Sequence, residues 1–391
     1  MDILLLTSEF APAMGGIGTY AGEIAGAAAR LGARVTLVAP DYGQDNASRD
    51  RALPFEVVRF RGGLHSMKDL PAKILAARSK VRERPYDVIH AADWPFFIPV
   101  ALSRWQTTAR VLMTVHGTEI NETRTPLKRL AIRSAGVFGS RTEIVANSRY
   151  TRDLFCERFS VDAGQISAIS LGVSDFWFGE RRDRANIRAG LGLAPDRLVM
   201  VTVARITHRK GHHLTLAALA RLPERLRQRI TWLVIGPNGE AGYVNELHRL
   251  IEAANCDVHL LGPLPNEEIR DIYGAADLFC LTGLPDSSGR VEGFGLVYLE
   301  AGAGGVPSVA TAVGGVPDAV LPDQSGILVA PDIDSISAAI ASFAENDELR
   351  ATLAAGALAH ARALSWERCA AATYGLAAKE RPAPQAEVVT A

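Results

Sequence analysis

Four cysteines, Cys156, Cys256, Cys280 and Cys369, are scattered through 391 residues, and none belongs to a Cys-x-x-Cys pair. That spacing excludes a disulfide framework and a structural zinc site, and it fits a reducing compartment. No sign of charge dominates: the net charge is −1, which gives nucleic acid nothing to hold. No long uncharged apolar run is present. The longest weakly charged stretch, Gly293–Pro317, carries Glu300 and many Gly and Pro residues, a poor membrane span. The opening MDILLLTSEF has neither a basic segment nor a small-residue cleavage site, so it reads as a strand and not a signal peptide. The expectation is a cytoplasmic protein, at most attached to a membrane face. Acidic clusters that would hold Mg²⁺ are missing as well. Two short patterns imitate metal motifs. His208 and His212 flank Arg209 and Lys210, which repel a cation, and Asp332-Ile333-Asp334 precedes a helical pattern over 335–343, where a helix cap is the simpler reading. No metal is expected.

What the sequence does have is a repeated alternation of short apolar runs and helical patterns. In the first half the runs are Ile3–Thr7, Val35–Ala39, Glu56–Phe60, Asp87–His90, Val111–Val115, Glu143–Ala146 and Ile166–Ser170, with helices such as Thr19–Leu31 and Pro126–Phe138 between them. Residues 175–197 lack a strand and read as a linker with a short helix. A second series follows: Leu198–Ala204, Ile230–Ile235, Val258–Leu261, Asp277–Leu281, Ser308–Thr311 and Ile327–Val329. Runs of this kind are strands buried on both faces of a parallel sheet. The expectation is an α/β protein of two Rossmann-like domains, 1–175 and 176–364, facing a cleft. Such sheets bind ligands beyond the carboxyl ends of their strands, so the residues just after each strand carry most information. The halves differ in charge. Residues 1–178 hold 22 Lys and Arg against 18 Asp and Glu, and the rest holds 20 against 25, so the first half suits an acidic partner better.

The most informative segment is Arg290–Pro317, RVEGFGLVYLEAGAGGVPSVATAVGGVP. Glu300 is its lone charge after Gly293 and lies on a helix that begins near Gly295. A carboxylate in apolar packing needs a hydrogen-bond donor, and a ribose diol is a suitable one. Glu292 precedes the same helix. Gly293 and Gly295 allow close backbone approach, and the N–H groups of Phe294, Gly295 and Leu296 would face a phosphate or sugar oxygen. A structural ion pair is the competing reading. In VTVARITHRKGHH, Arg205 ends a strand and Lys210 opens a helix. One offers a guanidinium fork and the other a point charge, which together clamp a diphosphate. Gly15-Gly16-Ile17-Gly18 precedes a helix and matches G-x-G-x-x-A from Gly16 to Ala21, but eight residues separate Gly16 from its strand, unlike a dinucleotide turn. His116 ends a strand and is followed by Gly117, which would project its ring into the cleft.

Together these segments resemble the retaining glycosyltransferases of family 4, which have the GT-B fold. The likeness runs along nearly the whole chain. It is most specific at the E-x7-E motif from Glu292 to Glu300 and extends to VARITHRKG, VIGPNGE, LLGPL, YGAADLFCL and VANSRYTRDLF. It implies that Glu292 meets the donor sugar, Glu300 the ribose, and Arg205 and Lys210 the diphosphate. Gly16 would touch the phosphate from across the cleft, His116 would lie beside sugar and acceptor, and the backbone near Leu264 would read the base. A last helix, Trp366–Lys379, would cross back so that 365–391 lies on the first domain. The implied reaction is metal-independent transfer of a hexose, of mannose or glucose type, from a GDP- or UDP-linked donor to a lipid-linked or polysaccharide hydroxyl, with no cofactor. LTGLPDSSGRVEG is longer and more polar than the family's usual loop and would close over the donor.

Arg124, Lys128, Arg129 and Arg133 recur about a turn apart among apolar residues. They form either a solvated helix face or a basic surface that rests on an anionic membrane. The alternatives to a transferase are a nucleotide-sugar epimerase or phosphorylase of the same fold, an NAD(P)-dependent oxidoreductase using Gly16–Ala21, and a non-catalytic scaffold.

Overall fold

The computed structural model describes residues 1–12, 15–43, 45–62, 67–117, 120, 126–159, 161 and 163–377. Seven parallel strands form the first sheet: β1 (Asp2–Leu6), β2 (Arg34–Asp41), β3 (Glu56–Arg61), β4 (Val88–Ala91), β5 (Arg110–Val115), β6 (Thr142–Ala146) and β7 (Ile166–Ala168), in the order β3-β2-β1-β4-β5-β6-β7. Six form the second: β8 (Leu198–Val203), β9 (Ile230–Ile235), β10 (Asp257–Gly262), β11 (Leu278–Leu281), β12 (Ser308–Thr311) and β13 (Gly326–Val329), in the order β10-β9-β8-β11-β12-β13. Both orders reverse direction beside the first strand of their series. Each sheet therefore has a crevice at the carboxyl ends of its middle strands, between β1 and β4 and between β8 and β11.

The inner strands of the first sheet, such as β1, β4 and β5, are covered on both sides, which is why they read as continuous apolar runs. Ile3 and Leu5 pack with the first helix (Gly16–Arg30), while Leu4 and Leu6 pack beneath the helices Leu70–Glu83, Phe97–Ser103 and Arg149–Phe159. The core on the first-helix side continues without a break through Ile169, Leu171, Val173 and Trp177 into the second domain, where it takes in Phe279, Tyr298 and Leu299.

Several elements differ from the sequence reading, each for a local reason. The helix expected over 126–138 ends at Ser134, because Gly136 takes φ 57° and its N–H turns back to the Arg133 carbonyl. The last helix stops at Tyr374, not Lys379. Gly375 is left-handed at φ 74°, and the N–H groups of Gly375 and Leu376 both bond the Ala371 carbonyl. Residues 378–391 lie outside the described residues. The short helix of the linker is Arg184–Gly190, capped by the Asp183 carboxylate on the Asn186 N–H. Asp332 caps its helix in the same way, on the Ser335 N–H at 2.8 Å, as expected of that pattern.

The chain crosses between the domains twice, side by side. Val173 pairs with Ser365 as an isolated parallel bridge, and its N–H bonds the Leu364 carbonyl at 2.8 Å. A side chain at Gly172 would fall 2.3 Å from the Trp366 nitrogen, so the two crossings touch through bare backbone. Beyond the crossing, the last helix (Trp366–Tyr374) lies on the first helix and is tied to it by Arg30–Glu367 at 2.7 Å. Among the described residues no helix is long and apolar enough to cross a membrane.

Candidate functional site

The carboxyl edge of the second sheet is assembled around a single glycine. β8 ends at Val203, and Arg205 follows, exposed and without an ion-pair partner among the described residues. A single 3-10 turn, His208–Lys210, then leads to Gly211 at φ 71°. A Cβ at Gly211 would lie 1.8 Å from the Thr282 carbonyl oxygen, so only glycine allows this turn to touch the loop leaving β11. Two bonds zip the segments together: the Thr282 hydroxyl donates to the Gly211 carbonyl at 2.8 Å, and the Leu284 N–H to the Arg209 carbonyl at 2.9 Å. The loop expected to close over a ligand carries a turn that is folded on itself. The Asp286 carboxylate accepts from the Ser288 N–H and hydroxyl and from the Arg290 N–H and guanidinium.

This zipping brings Lys210 to Glu292, Nζ to Oε2, at 2.5 Å, with side chains 15% and 23% exposed. Burial alone would raise the Glu292 carboxyl. Lys210, then Arg209 and Arg205, outweigh it and hold the group below its ordinary value. Both predicted cations therefore act on one carboxylate. Gly295 turns left-handed at φ 95° and opens the helix Leu296–Ala303. Among the described residues the N–H groups of Phe294, Gly295 and Leu296 donate to nothing, although Phe294 and Gly295 are buried. The first N–H groups of a helix have no partner within it, so these three are available to an acceptor at the helix end.

Glu300, about one turn along that helix, has no hydrogen bond or ion pair among the described residues. Burial, and after it the Glu23 carboxylate of the first helix, push its carboxyl up to about 8. The acid foreseen as lacking a protein partner is thus half-buried rather than enclosed, and it meets a second acid from the other domain. Leu264 is half-buried just beyond β10, at the same sheet edge.

The first domain faces this edge directly. A Cβ at Gly293 would fall 2.1 Å from the His116 carbonyl oxygen, and one at Gly315 would fall 2.7 Å from the Ser148 hydroxyl. Asp318 of the second domain caps the helix Arg149–Phe159 of the first, accepting from the Arg149 N–H at 2.6 Å and from its guanidinium at 2.5 Å. His116 does end its strand at the domain boundary. Its ring, however, does not stand free in the cleft as expected. It lies half-buried along the edge, Nε2–H donating to the Ala92 carbonyl at 2.8 Å, against the Tyr20 ring at 4.9 Å. Gly16 is the exposed first residue of its helix, with nothing within 4 Å of where a Cβ would go. The Glu9 carboxylate lies over that helix end, accepting from the Gly18 N–H at 3.1 Å.

Two groups escaped the sequence reading. Lys73 is buried on its helix in register with Ala77 and Val81, and a lysine inside that apolar stripe was the available signal. Burial pulls its ammonium down, while Asp93 and Asp69 act to raise it. Asp93, just past β4, is buried too and accepts from the Ser8 N–H at 2.7 Å and hydroxyl at 2.6 Å. On the basic surface, Arg124 and the side chains of Lys128 and Arg129 lie outside the described residues; Arg133 is exposed.

Residues 14–175 match the family model Glycosyltransferase Family 4, and residues 183–359 match Glycosyl transferases group 1. A GDP-mannose-dependent alpha-(1-6)-phosphatidylinositol monomannoside mannosyltransferase of Mycolicibacterium smegmatis is 31% identical over 86% of this chain and 88% of its own length. A D-inositol 3-phosphate glycosyltransferase of Actinosynnema mirum is 32% identical over 90% of this chain and 89% of its own. Among solved structures, HepE of Anabaena in complex with UDP superimposes with a TM-score of 0.75 at 24% identity, covering 95% of this chain and 97% of that one. Sucrose-phosphate synthase of Thermosynechococcus elongatus gives 0.76 at 22% identity, over 94% and 96%.

Proposed function

The chain belongs to the family 4 glycosyltransferases, and we propose that it transfers a hexose from a GDP- or UDP-linked donor to a hydroxyl of a lipid-linked or polysaccharide acceptor, with retention and without a metal. One observation carries this reading. Lys210, Arg205 and three undonated N–H groups meet around Glu292 at the crevice of the second sheet. Positive charge and N–H dipoles on one spot suit a leaving diphosphate.

In this reading Arg205, Lys210 and the helix end at Gly295 bind the diphosphate, and Gly16 meets it from across the cleft. Glu292 takes the sugar hydroxyls, Glu300 the ribose diol, and the backbone at Leu264 the base. His116 lines the sugar and acceptor side. The bond from the anomeric carbon to the diphosphate oxygen breaks, its electron pair leaving with the diphosphate. The acceptor oxygen bonds the same face of that carbon, and its proton passes to the departing diphosphate. Domain closure excludes water that would otherwise hydrolyse the donor.

The acceptor belongs to the first domain, near Lys73. A buried ammonium suits a phosphate-bearing acceptor, and the names of both relatives above refer to inositol phosphates. Contact with a membrane face would run through Arg124, Lys128, Arg129 and Arg133. Exposed Leu130, Leu75 and Trp105 on the same domain offer apolar anchors for it.

Thermal-shift and calorimetric titration with GDP, UDP and ADP, then their sugars, test the reading. One nucleoside diphosphate should raise the melting temperature, and Lys210→Ala should abolish the shift. Transfer should persist in EDTA, and proton NMR of the product should show the donor's anomeric configuration. Absence of binding to every nucleoside diphosphate would defeat the reading.

A further inference from the structure

Beneath His116 runs a chain of four buried polar groups in an otherwise apolar core. The Tyr20 hydroxyl meets the Thr114 hydroxyl at 2.9 Å, Thr114 meets His90 Nε2 at 2.7 Å, and His90 Nδ1 meets the Tyr374 hydroxyl at 2.9 Å. All four residues are buried, none more than 1% exposed. Thr114 lies on β5, two residues before His116, which follows the strand's last residue. The Tyr20 ring completes the path. It packs T-shaped against three rings, with centroids 4.9 Å from His116, 6.3 Å from His90 and 6.0 Å from Trp366.

Burial, then His116, keep the His90 imidazole neutral. One of its nitrogens therefore donates while the other accepts, so Thr114 and Tyr374 take opposite roles toward it. Every link has a partner, the condition under which a buried polar chain rigidifies its surroundings. Apolar side chains would fill the same space without needing matched partners. What distinguishes the chain is its two ends. One is the last helix, which enters from the second domain after the helix Asp347–Ala363, itself packed on the helix that bears Glu300. The other is a ring braced against His116.

We infer that Tyr20, fixed through Thr114 and His90 by Tyr374, is a positioning residue for His116, so that the last helix is a working part of the site and not only a strap. The inference rests on the glycosyltransferase reading, in which His116 lines the sugar.

Three variants test it. Tyr20→Phe keeps the ring and removes its hydroxyl. Tyr374→Phe detaches the last helix from His90. Tyr20→Leu removes ring and hydroxyl. Transfer kcat should fall about 10-fold in both phenylalanine variants and about 100-fold in Tyr20→Leu, as for other small misplacements of a reacting group. Affinity for the nucleoside diphosphate should stay within about twofold, because Arg205, Lys210 and the helix end at Gly295 lie in the second domain and only Gly16 meets it from the first. The ring ¹⁵N signals of His116 should shift in all three. If Tyr20→Leu does not fold, the two phenylalanine variants carry the test. Unchanged kcat in the folded variants, or parallel loss of kcat and nucleotide affinity, would overturn the inference. A wild-type protein that binds no nucleoside diphosphate would sink the reading of the site instead.

Discussion

Glu300 carries a consequence that can be measured without any substrate. Its carboxyl has a raised pKa in the folded protein, about 8 against an ordinary 4.5, because burial and Glu23 disfavour the charge. The folded state therefore holds this proton more tightly than the unfolded chain does. The associated stability is fully present below pH 4.5 and is lost as pH rises through about 8. Glu300→Gln keeps the shape and drops the titration, so its melting temperature should gain on the wild type progressively across that window. Hydroxyls donating to Glu300 would favour the carboxylate, so nucleotide binding at pH 7 should release a proton. Calorimetry in buffers of different ionisation enthalpy would show this for the wild type and not for Glu300→Gln; equal enthalpies across buffers would count against Glu300 as the ribose ligand. The importance of this residue was legible in the sequence because it is the lone charge in a long apolar segment. Glu23 was not, since an acid on the polar side of an ordinary helix has no signature until the fold brings the other domain against it.

At the scale of elements, the second sheet's edge hangs on Gly211. Replacing it with alanine forces a side chain into the left-handed region, costing about 1–3 kcal/mol, and drives the new methyl into the Thr282 carbonyl. Gly211→Ala should lower the melting temperature and also weaken nucleotide binding, because Lys210 rides on the same turn. Retained binding would show that Lys210 reaches its place independently. The strands themselves were readable almost residue for residue, because a parallel strand buried on both faces leaves an apolar run with few alternatives. Helix ends were read less well. Gly136 and Gly375 stop their helices while the apolar periodicity carries on past them. The Asp286 turn was invisible for another reason. Its run of polar residues and a glycine, Asp286–Arg290, looks like an open loop in sequence, and only the converging hydrogen bonds show a folded turn.

For the whole molecule, the contact between domains is set by small residues facing backbone. Gly293 approaches the His116 carbonyl so closely that no Cβ fits, yet its backbone φ lies outside the left-handed region. Gly293→Ala should therefore leave each domain folded and hold them apart. Scattering should report a larger radius of gyration, and kcat should fall by about 100-fold, the scale of a 1 Å misplacement. A variant as compact and active as the wild type would show that closure does not pass through this contact. The Arg149–Asp318 bond spans 169 residues of sequence, a pairing that no local pattern announces.

The twin crossing at Val173 and Ser365 has a mechanical corollary. Two adjacent tethers tolerate bending about the line that joins them and resist twisting. A protease that nicked the segment near Phe178 would leave the halves still joined through Leu364–Trp366. The fragments would migrate together under native conditions and part only in denaturant. The last helix, with the Arg149–Asp318 bond and the shared core, would then keep a cut enzyme in one piece.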